Sequence, residues 1–303
     1  MGVLVLLLAC MGLGAFARRS GALPDDSHRA VNAWVLYVSL PAVVLKSVHA
    51  VPLSARLVVP VLGLWGAFGL AAAVAVVAVR RGVSRGVAGA LALCAGLANT
   101  SFVGLPLIEA LGGAQAVGPA VVVDQLGSFF ALGLGAVPLA AWLAGGKVSV
   151  GFVARRLFLF PPFIALVLAL ALRPVAFPGV VDSVLGRLGD MLSPLALASV
   201  GWQLEVSALK GQGARVALGL AYKLVAAPLV MLGLVWLTAP SVDVVERVAV
   251  AQAAMAPMVT AGVLAAEYEL EPKLAAGLIA LGVPLSLLTV PAWWWLLGRS
   301  SGS

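Results

Sequence analysis

Between Gly96 and Gly113 the chain reads GLANTSFVGLPLIEALGG. On either side Ala, Val and Leu dominate, yet here Asn99, Thr100 and Ser101 stand together, and Gly104 and Pro106 follow. A bilayer-crossing helix at this point carries three hydrogen-bonding side chains and two helix breakers near mid-depth. Non-helical backbone at membrane depth is tolerated only where protein or a water-filled cavity covers it. The stretch therefore predicts a broken helix with sheltered ends.

The membrane assignment follows from composition. Hydrophobic residues make up 62% of the 303 residues and charged residues 10%, and the mean hydropathy is +1.11. A soluble domain is roughly 45–50% apolar and about 25% charged. One crossing takes about 20 apolar residues. Windows of that length fall near 2–17, 30–48, 57–79, 87–111, 117–143, 152–172, 180–202, 213–238, 247–267 and 273–297. The ~10-residue alternating segments of a membrane β-barrel are not visible. The expectation is an all-α integral membrane protein of ten spans, without a soluble domain.

The net charge of +7 is explained by topology rather than by nucleic acid. With the N-terminus outside, the cytoplasmic loops carry Arg18, Arg19, Arg29, Arg80, Arg81, Arg85, Lys147, Arg155, Arg156, Lys210, Arg215 and Lys273. The other side carries Arg56, Arg173, Arg187, Arg247 and Arg299. That asymmetry favours both termini outside. Trp34, Trp142 and Trp202 fall at the expected inner ends, and Trp236 and Trp293 to Trp295 at the outer ends, as interface belts. Cys10 and Cys94 lie alone inside spans and read as packing, with no disulfide framework or metal spacing. "LLLAC" lacks the positive flank of a signal peptide, so the first span is read as retained.

Ten spans divide into two fives, residues 1–144 and 145–303. Pro41, Pro119 and Pro138 recur at a constant shift of 153 as Pro194, Pro272 and Pro291. An odd number of spans per half makes the second copy enter from the opposite side, the inverted repeat common in secondary transporters. The fourth span of the second half carries AQAAMAPMVTAG, Ala251–Gly262, and is also interrupted by small, polar and proline residues. A broken helix leaves carbonyls at one end and unpaired N–H groups at the next start. Pro257 suits the first position of a second half-helix. Two such starts aimed at one midplane point make a donor-rich pocket that stabilises an anion, most simply a carboxylate. Asn99, Thr100, Ser101, Gln252 and Thr260 are the candidate orienting groups, with Gly104, Pro106 and Pro257 shaping the breaks.

At these residues the sequence resembles the auxin efflux carrier family, which includes plant auxin carriers of the PIN type and bacterial malate or malonate permeases. NTSFVGLPLIEALGG resembles the family's Asn-Thr…Gly-x-Pro run, and AQAAMAPMVTAGVLAAEYELEPKLAAGLIALGVPLSLLTVPAWWWLLG its ending. NAWVLYVSLPAVVL is similar to its second span. The resemblance implies ten helices in two inverted five-helix repeats, with broken helices 4 and 9 crossing. It also implies a homodimer, a scaffold of helices 1, 2, 6 and 7, and a moving transport unit of helices 3–5 and 8–10. Organic anions bind at the crossing, and Asn99 matches the family's substrate-binding asparagine. The long loop of the plant members is absent, since only GGKVSVG separates helices 5 and 6. A short-loop member points to a bacterial inner membrane.

Ionisable residues deep in a span default to functional roles. Asp124 in helix 5 and Lys223 in helix 8 are the candidates here, as an ion pair or a proton-linked pair. Lys46 and His49 read as snorkelling at the outer end of helix 2. Arg187 and Asp190 read as an i, i+3 pair, and Glu267, Glu269 and Glu271 as a solvated acidic loop. The expected function is secondary transport of a small organic anion, with no cofactor. The alternative is a sodium- or proton-coupled cation or bile-acid-type carrier of the same topology. Such carriers place acidic residues at the crossing, where this chain has Asn, Thr and Gln. A membrane-embedded protease needs a Ser–His pair, two aspartates or a metal cluster at depth. His28 and His49 near span ends and one mid-span Asp do not supply that set, and no phosphate loop appears.

Overall fold

The chain breaks where its sequence predicts. In the computed structural model, residues 2–21, 23–51, 54–147, 149–204, 211–239 and 241–299 are described; Lys210 and the side chains of Arg156 and Arg299 lie outside them. Among these residues the structure is helical, without a strand. The helices are α1 (Gly2–Ser20), α2 (Ser27–Ala50), α3 (Ala55–Arg80), α4 (Arg85–Gly96), α5 (Thr100–Gly112) and α6 (Ala114–Leu143). They continue as α7 (Val150–Phe158), α8 (Pro161–Ala171), α9 (Gly179–Asp190), α10 (Leu192–Gln203), α11 (Gly213–Thr238), α12 (Val244–Ala253), α13 (Val259–Glu267) and α14 (Pro272–Arg299). Five of them, α2, α3, α6, α11 and α14, are long and apolar enough to cross a membrane on their own.

Prolines mark four of the widened turns. The turns Val35–Ser39, Thr100–Gly104, Ala131–Ala136 and Tyr222–Ala226 are widened to i→i+5 bonding. Each ends two residues before a proline: Pro41, Pro106, Pro138 and Pro228. Proline cannot donate to the carbonyl four residues back and its ring collides with it, so the preceding turn opens outward. One freed carbonyl has found a new donor, since Trp293 Nε1 bonds Leu224 O, four residues before Pro228, at 3.1 Å. The widened turn Val123–Phe129 is different: no proline follows it at that spacing.

Two windows read as continuous are divided. Pro161 and Pro162 force Phe160 into extended backbone (φ −72°, ψ 122°), because the residue before a proline avoids the helical region. Pro194, in the first turn of α10, leaves the Asp190 carbonyl without its helical donor where α9 and α10 meet at Met191.

The helices pack in two groups. In one, α1 lies along α10, and α2 packs on α8 and α9. In the other, α3, α4, α6 and α11 to α14 pack on one another, with α6 also touching α2, and α5 touching α10. The α1–α10 contact brings backbone against backbone: a Cβ added at Gly14 would strike the Ala198 carbonyl oxygen, and one at Gly201 the Met11 carbonyl oxygen. Small residues let membrane helices approach this closely. Gly201→Val should therefore force the pair apart, costing roughly 1–3 kcal/mol or more. Fluorescence-detected gel filtration after mild heating should show a clear loss of the folded peak, and an unchanged profile would contradict the contact.

Trp202 and Trp294 are not interfacial, being 6% and 4% exposed; they fill the core, while Trp34, Trp142, Trp236 and Trp295 are exposed. Cys10 and Cys94 are buried free thiols. Glu267 and Glu269 are exposed, while Glu271 is half-buried.

Candidate functional site

The two breaks meet backbone to backbone. Leu97–Asn99 separates α4 from α5, and Ala254–Met258 separates α12 from α13. Ala98 and Pro257 form an isolated antiparallel bridge, flanked by Asn99 N to Ala256 O at 2.8 Å and Met258 N to Leu97 O at 3.2 Å. Between such flanking bonds the facing pair is the non-hydrogen-bonded one, so a proline there loses nothing by lacking an N–H. This corrects the placing of Pro257 at the start of a half-helix: it lies in the extended break, with Met258 as the cap of α13.

Asn99 caps α5, its Oδ1 accepting from Phe102 N at 3.2 Å, while its buried Nδ2 has no partner. Gln252, fully buried, donates from Nε2 to Ala120 O at 3.3 Å and keeps an unpartnered Oε1. A Cβ at Gly104 would lie 2.6 Å from that Oε1, so only glycine leaves the amide its place. Pro106, also buried, opens the turn that carries Thr100 to Gly104. Thr260 is exposed on the first turn of α13, apart from the buried groups.

Asp124, 1% exposed, enters this site from α6. Its Oδ1 accepts from Thr100 Oγ1 and Ser101 Oγ, both at 2.5 Å, and its Oδ2 accepts from Gln125 Nε2 at 2.8 Å. Lys223, fully buried on α11, donates to Ala253 O at 3.0 Å, at the C-terminal end of α12. No ion pair joins Asp124 to Lys223 among the described residues. The expected pair is replaced by two separate arrangements, and each follows the partial charges at helix ends. The carboxylate faces the positive start of α5, and the ammonium faces the negative end of α12. Residues within the breaks are uncharged, yet an acidic group reaches them from a neighbouring helix. The only sequence sign of it was a lone carboxylate deep in a span.

Beside this site lies a cavity of about 530 Å³ between the two helix groups, with Leu105 of α5 and Gly118 of α6 on one wall. Lys46 and Ser47 of α2, Gly189 of α9 and Ser193 of α10 line the facing wall. Lys46 does more than snorkel, since its Nζ pairs with Asp182 at 3.1 Å. His49 Nε2 lies 2.9 Å from Val175 O, and its ring stacks on Phe177 at 4.2 Å. Arg187 and Asp190 are both exposed and unpaired with each other; an i, i+3 pair in water gains too little to hold two mobile side chains.

One cluster fastens the entry to α12. Arg56 donates to Glu246 Oε1 and Oε2 at 2.8 and 2.7 Å and to Asp243 Oδ2 at 2.7 Å. Asp243 and Glu246 also form a capping box. The Arg56 hydrogen bond holds the Asp243 carboxyl below the ordinary carboxylate range. A depressed carboxyl contributes stability above its unfolded value and loses it as pH falls through the folded one, so the Arg56–Asp243 arm is intact at neutral pH and is lost only in acid. Glu246 is 4% exposed but its partner 32%, which places the pair between surface and buried cases. Arg56→Met should cost about 1–2 kcal/mol through its contact with the buried Glu246, read as a lower thermal midpoint at pH 7, and the part that Asp243 adds should fade as the pH falls through and below the ordinary carboxylate range.

Paired broken helices within a multi-pass helical protein are an arrangement in which transporters build their substrate sites. The chain belongs to the membrane transport protein family, the auxin efflux carrier type, whose profile matches residues 1–294. It is a family of transporters, not of enzymes. The chain is similar to an uncharacterized transporter of Methanothermobacter thermautotrophicus, 27% identical over 298 residues, covering 97% of this chain and 95% of that protein. It is likewise similar to an uncharacterized transporter of Methanocaldococcus jannaschii, 25% identical over 312 residues, covering 98% of each.

Proposed function

We propose that this transporter is a secondary active carrier of a small organic anion, dicarboxylate- or auxin-like, bound where the two broken helices meet. The observation that carries this reading is the pair of breaks bonded on either side of the facing Ala98 and Pro257, beside a buried Asn99 Nδ2 with no partner. An unpaired buried donor costs about 1–3 kcal/mol, which a carboxylate oxygen would offset. The fully buried Lys223 places an amine, a donor for an anion, near the second break.

In this reading the ten spans form two inverted repeats, residues 1–144 and 145–303, with α4–α5 and α12–α13 as crossing helices 4 and 9. The α1, α2, α7–α10 group is the scaffold, and the rest moves against it as an elevator. The cavity between the two groups is the path to one side of the membrane. The protein works as a homodimer in a bacterial inner membrane, and the twelve-to-five distribution of loop cations supports both termini outside.

The buried Asp124 favours a second reading, a sodium- or proton-coupled carrier of the same topology. Both are tested in proteoliposomes with radiolabelled malate, malonate, succinate and indole-3-acetate, with and without pH and sodium gradients. Saturable uptake of one anion is expected. If no anion moves while the protein remains folded, the carboxylate reading fails.

A further inference from the structure

Asp124 is a fully buried carboxylate that no basic side chain neutralises among the described residues. Three groups bond it, the hydroxyls of Thr100 and Ser101 and the amide of Gln125. Two further buried oxygens on the same turn have no partner. Gln125 Oε1 belongs to the amide already held against the carboxylate, and Ser128 Oγ is four residues on, on the same helix face. Ser128 is 2% exposed and Gln125 1%, so neither faces bulk solvent. The turn carrying them, Val123–Phe129, is the widened turn that no proline explains. Widened turns inside helices are frequent at functional sites.

We infer that Asp124, Thr100, Ser101, Gln125 and Ser128 form a binding site for a small monovalent cation, sodium, at the junction of α5 and α6. The donor set is one carboxylate, three hydroxyls and one amide oxygen, the hard oxygen ligands that such cations take. A single carboxylate balances a single charge. A divalent ion draws on several carboxylates or keeps its own waters, and in this dry interior it would leave a net charge, which is costly. Turning the Gln125 amide to present Oε1 and rotating the hydroxyl hydrogens away from Asp124 would free these oxygens for a cation. Occupancy fixes Thr100 and Ser101, the residues directly after Asn99, so cation binding orders the start of α5 on which the anion depends. The inference deepens the coupled reading above, but its test needs no substrate.

Trp65 provides a local reporter, because its Nε1 donates to Leu126 O at 2.9 Å within the same turn. Purified protein is titrated with NaCl, KCl and choline chloride at constant ionic strength and over a range of pH, following tryptophan fluorescence and the thermal midpoint. Sodium alone should raise the midpoint and change the fluorescence saturably. Ser128→Ala should raise the half-saturating sodium concentration roughly five- to tenfold, as expected for one lost neutral ligand, and Asp124→Asn should abolish the response. Trp65→Phe should lose the local optical signal but keep the thermal shift. Equal responses to all three salts, or a response to pH alone, would overturn the site. If Asp124→Asn does not fold, Ser128→Ala decides, since an unchanged sodium midpoint there rejects the assignment. Anion uptake in sodium-free medium would sink this inference and leave the anion reading standing; sodium binding without anion uptake would do the reverse.

Discussion

Asn99→Asp should abolish carboxylate uptake while leaving the protein folded. The two functions of this side chain separate cleanly by atom. Oδ1 accepts from Phe102 N and caps α5, and an aspartate retains that acceptor; Asp and Asn are equally good caps. Nδ2 is the buried donor without a partner, and aspartate replaces it with an anionic oxygen facing the place a carboxylate would occupy. The lost hydrogen bond to a charged group is worth about 1.5–3 kcal/mol, roughly ten- to a hundredfold in affinity, before like-charge repulsion is added. Asn99→Ala removes the cap as well, at about 1 kcal/mol, but adds no buried charge, and should also be inactive. Uptake of malate or indole-3-acetate, normalised to folded protein, is the measurement. Retained uptake in Asn99→Asp would remove Asn99 from the site.

The breaks were legible in the sequence because they are local. Asn99 to Pro106 and Ala254 to Met258 stand out as polar, small or proline residues inside apolar runs. Four of the widened turns also have a local cause, ending two residues before Pro41, Pro106, Pro138 and Pro228, although Pro284 and Pro291 sit in regular helix. What was not legible is which segments meet. Nothing in the spacing of Asp124 points to Thr100 and Ser101, and Lys46 looks like a snorkelling cation until α9 brings Asp182 beside it. Arg56 and Glu246 are 190 positions apart. Burial has the same character. Trp202 and Trp294 lie where interfacial tryptophans would, and only helix packing reveals that they face inward. Long-range pairing leaves no periodicity in one chain, so sequence located the breaks and the structure supplied their neighbours.

Those neighbours give Lys223 an unusual status, and its replacement should raise stability while lowering transport. The ammonium is fully buried and donates to Ala253 O at 3.0 Å, with no carboxylate partner among the described ion pairs. An ammonium has three donors, and desolvating its charge costs several kcal/mol. The C-terminal end of α12 returns only part of this, since a charge at a helix end is worth about 0.3–2 kcal/mol. Lys223→Met fills a similar volume without the charge. Removing an unpaired buried charge while keeping the volume spares its desolvation cost, so the thermal midpoint should hold or rise. Uptake should fall, because the nearby cation no longer helps to hold an anion. A stabilised and inactive variant fits a group kept for function against stability. A variant that unfolds would make the lysine structural, and one that transports normally would place it outside the mechanism.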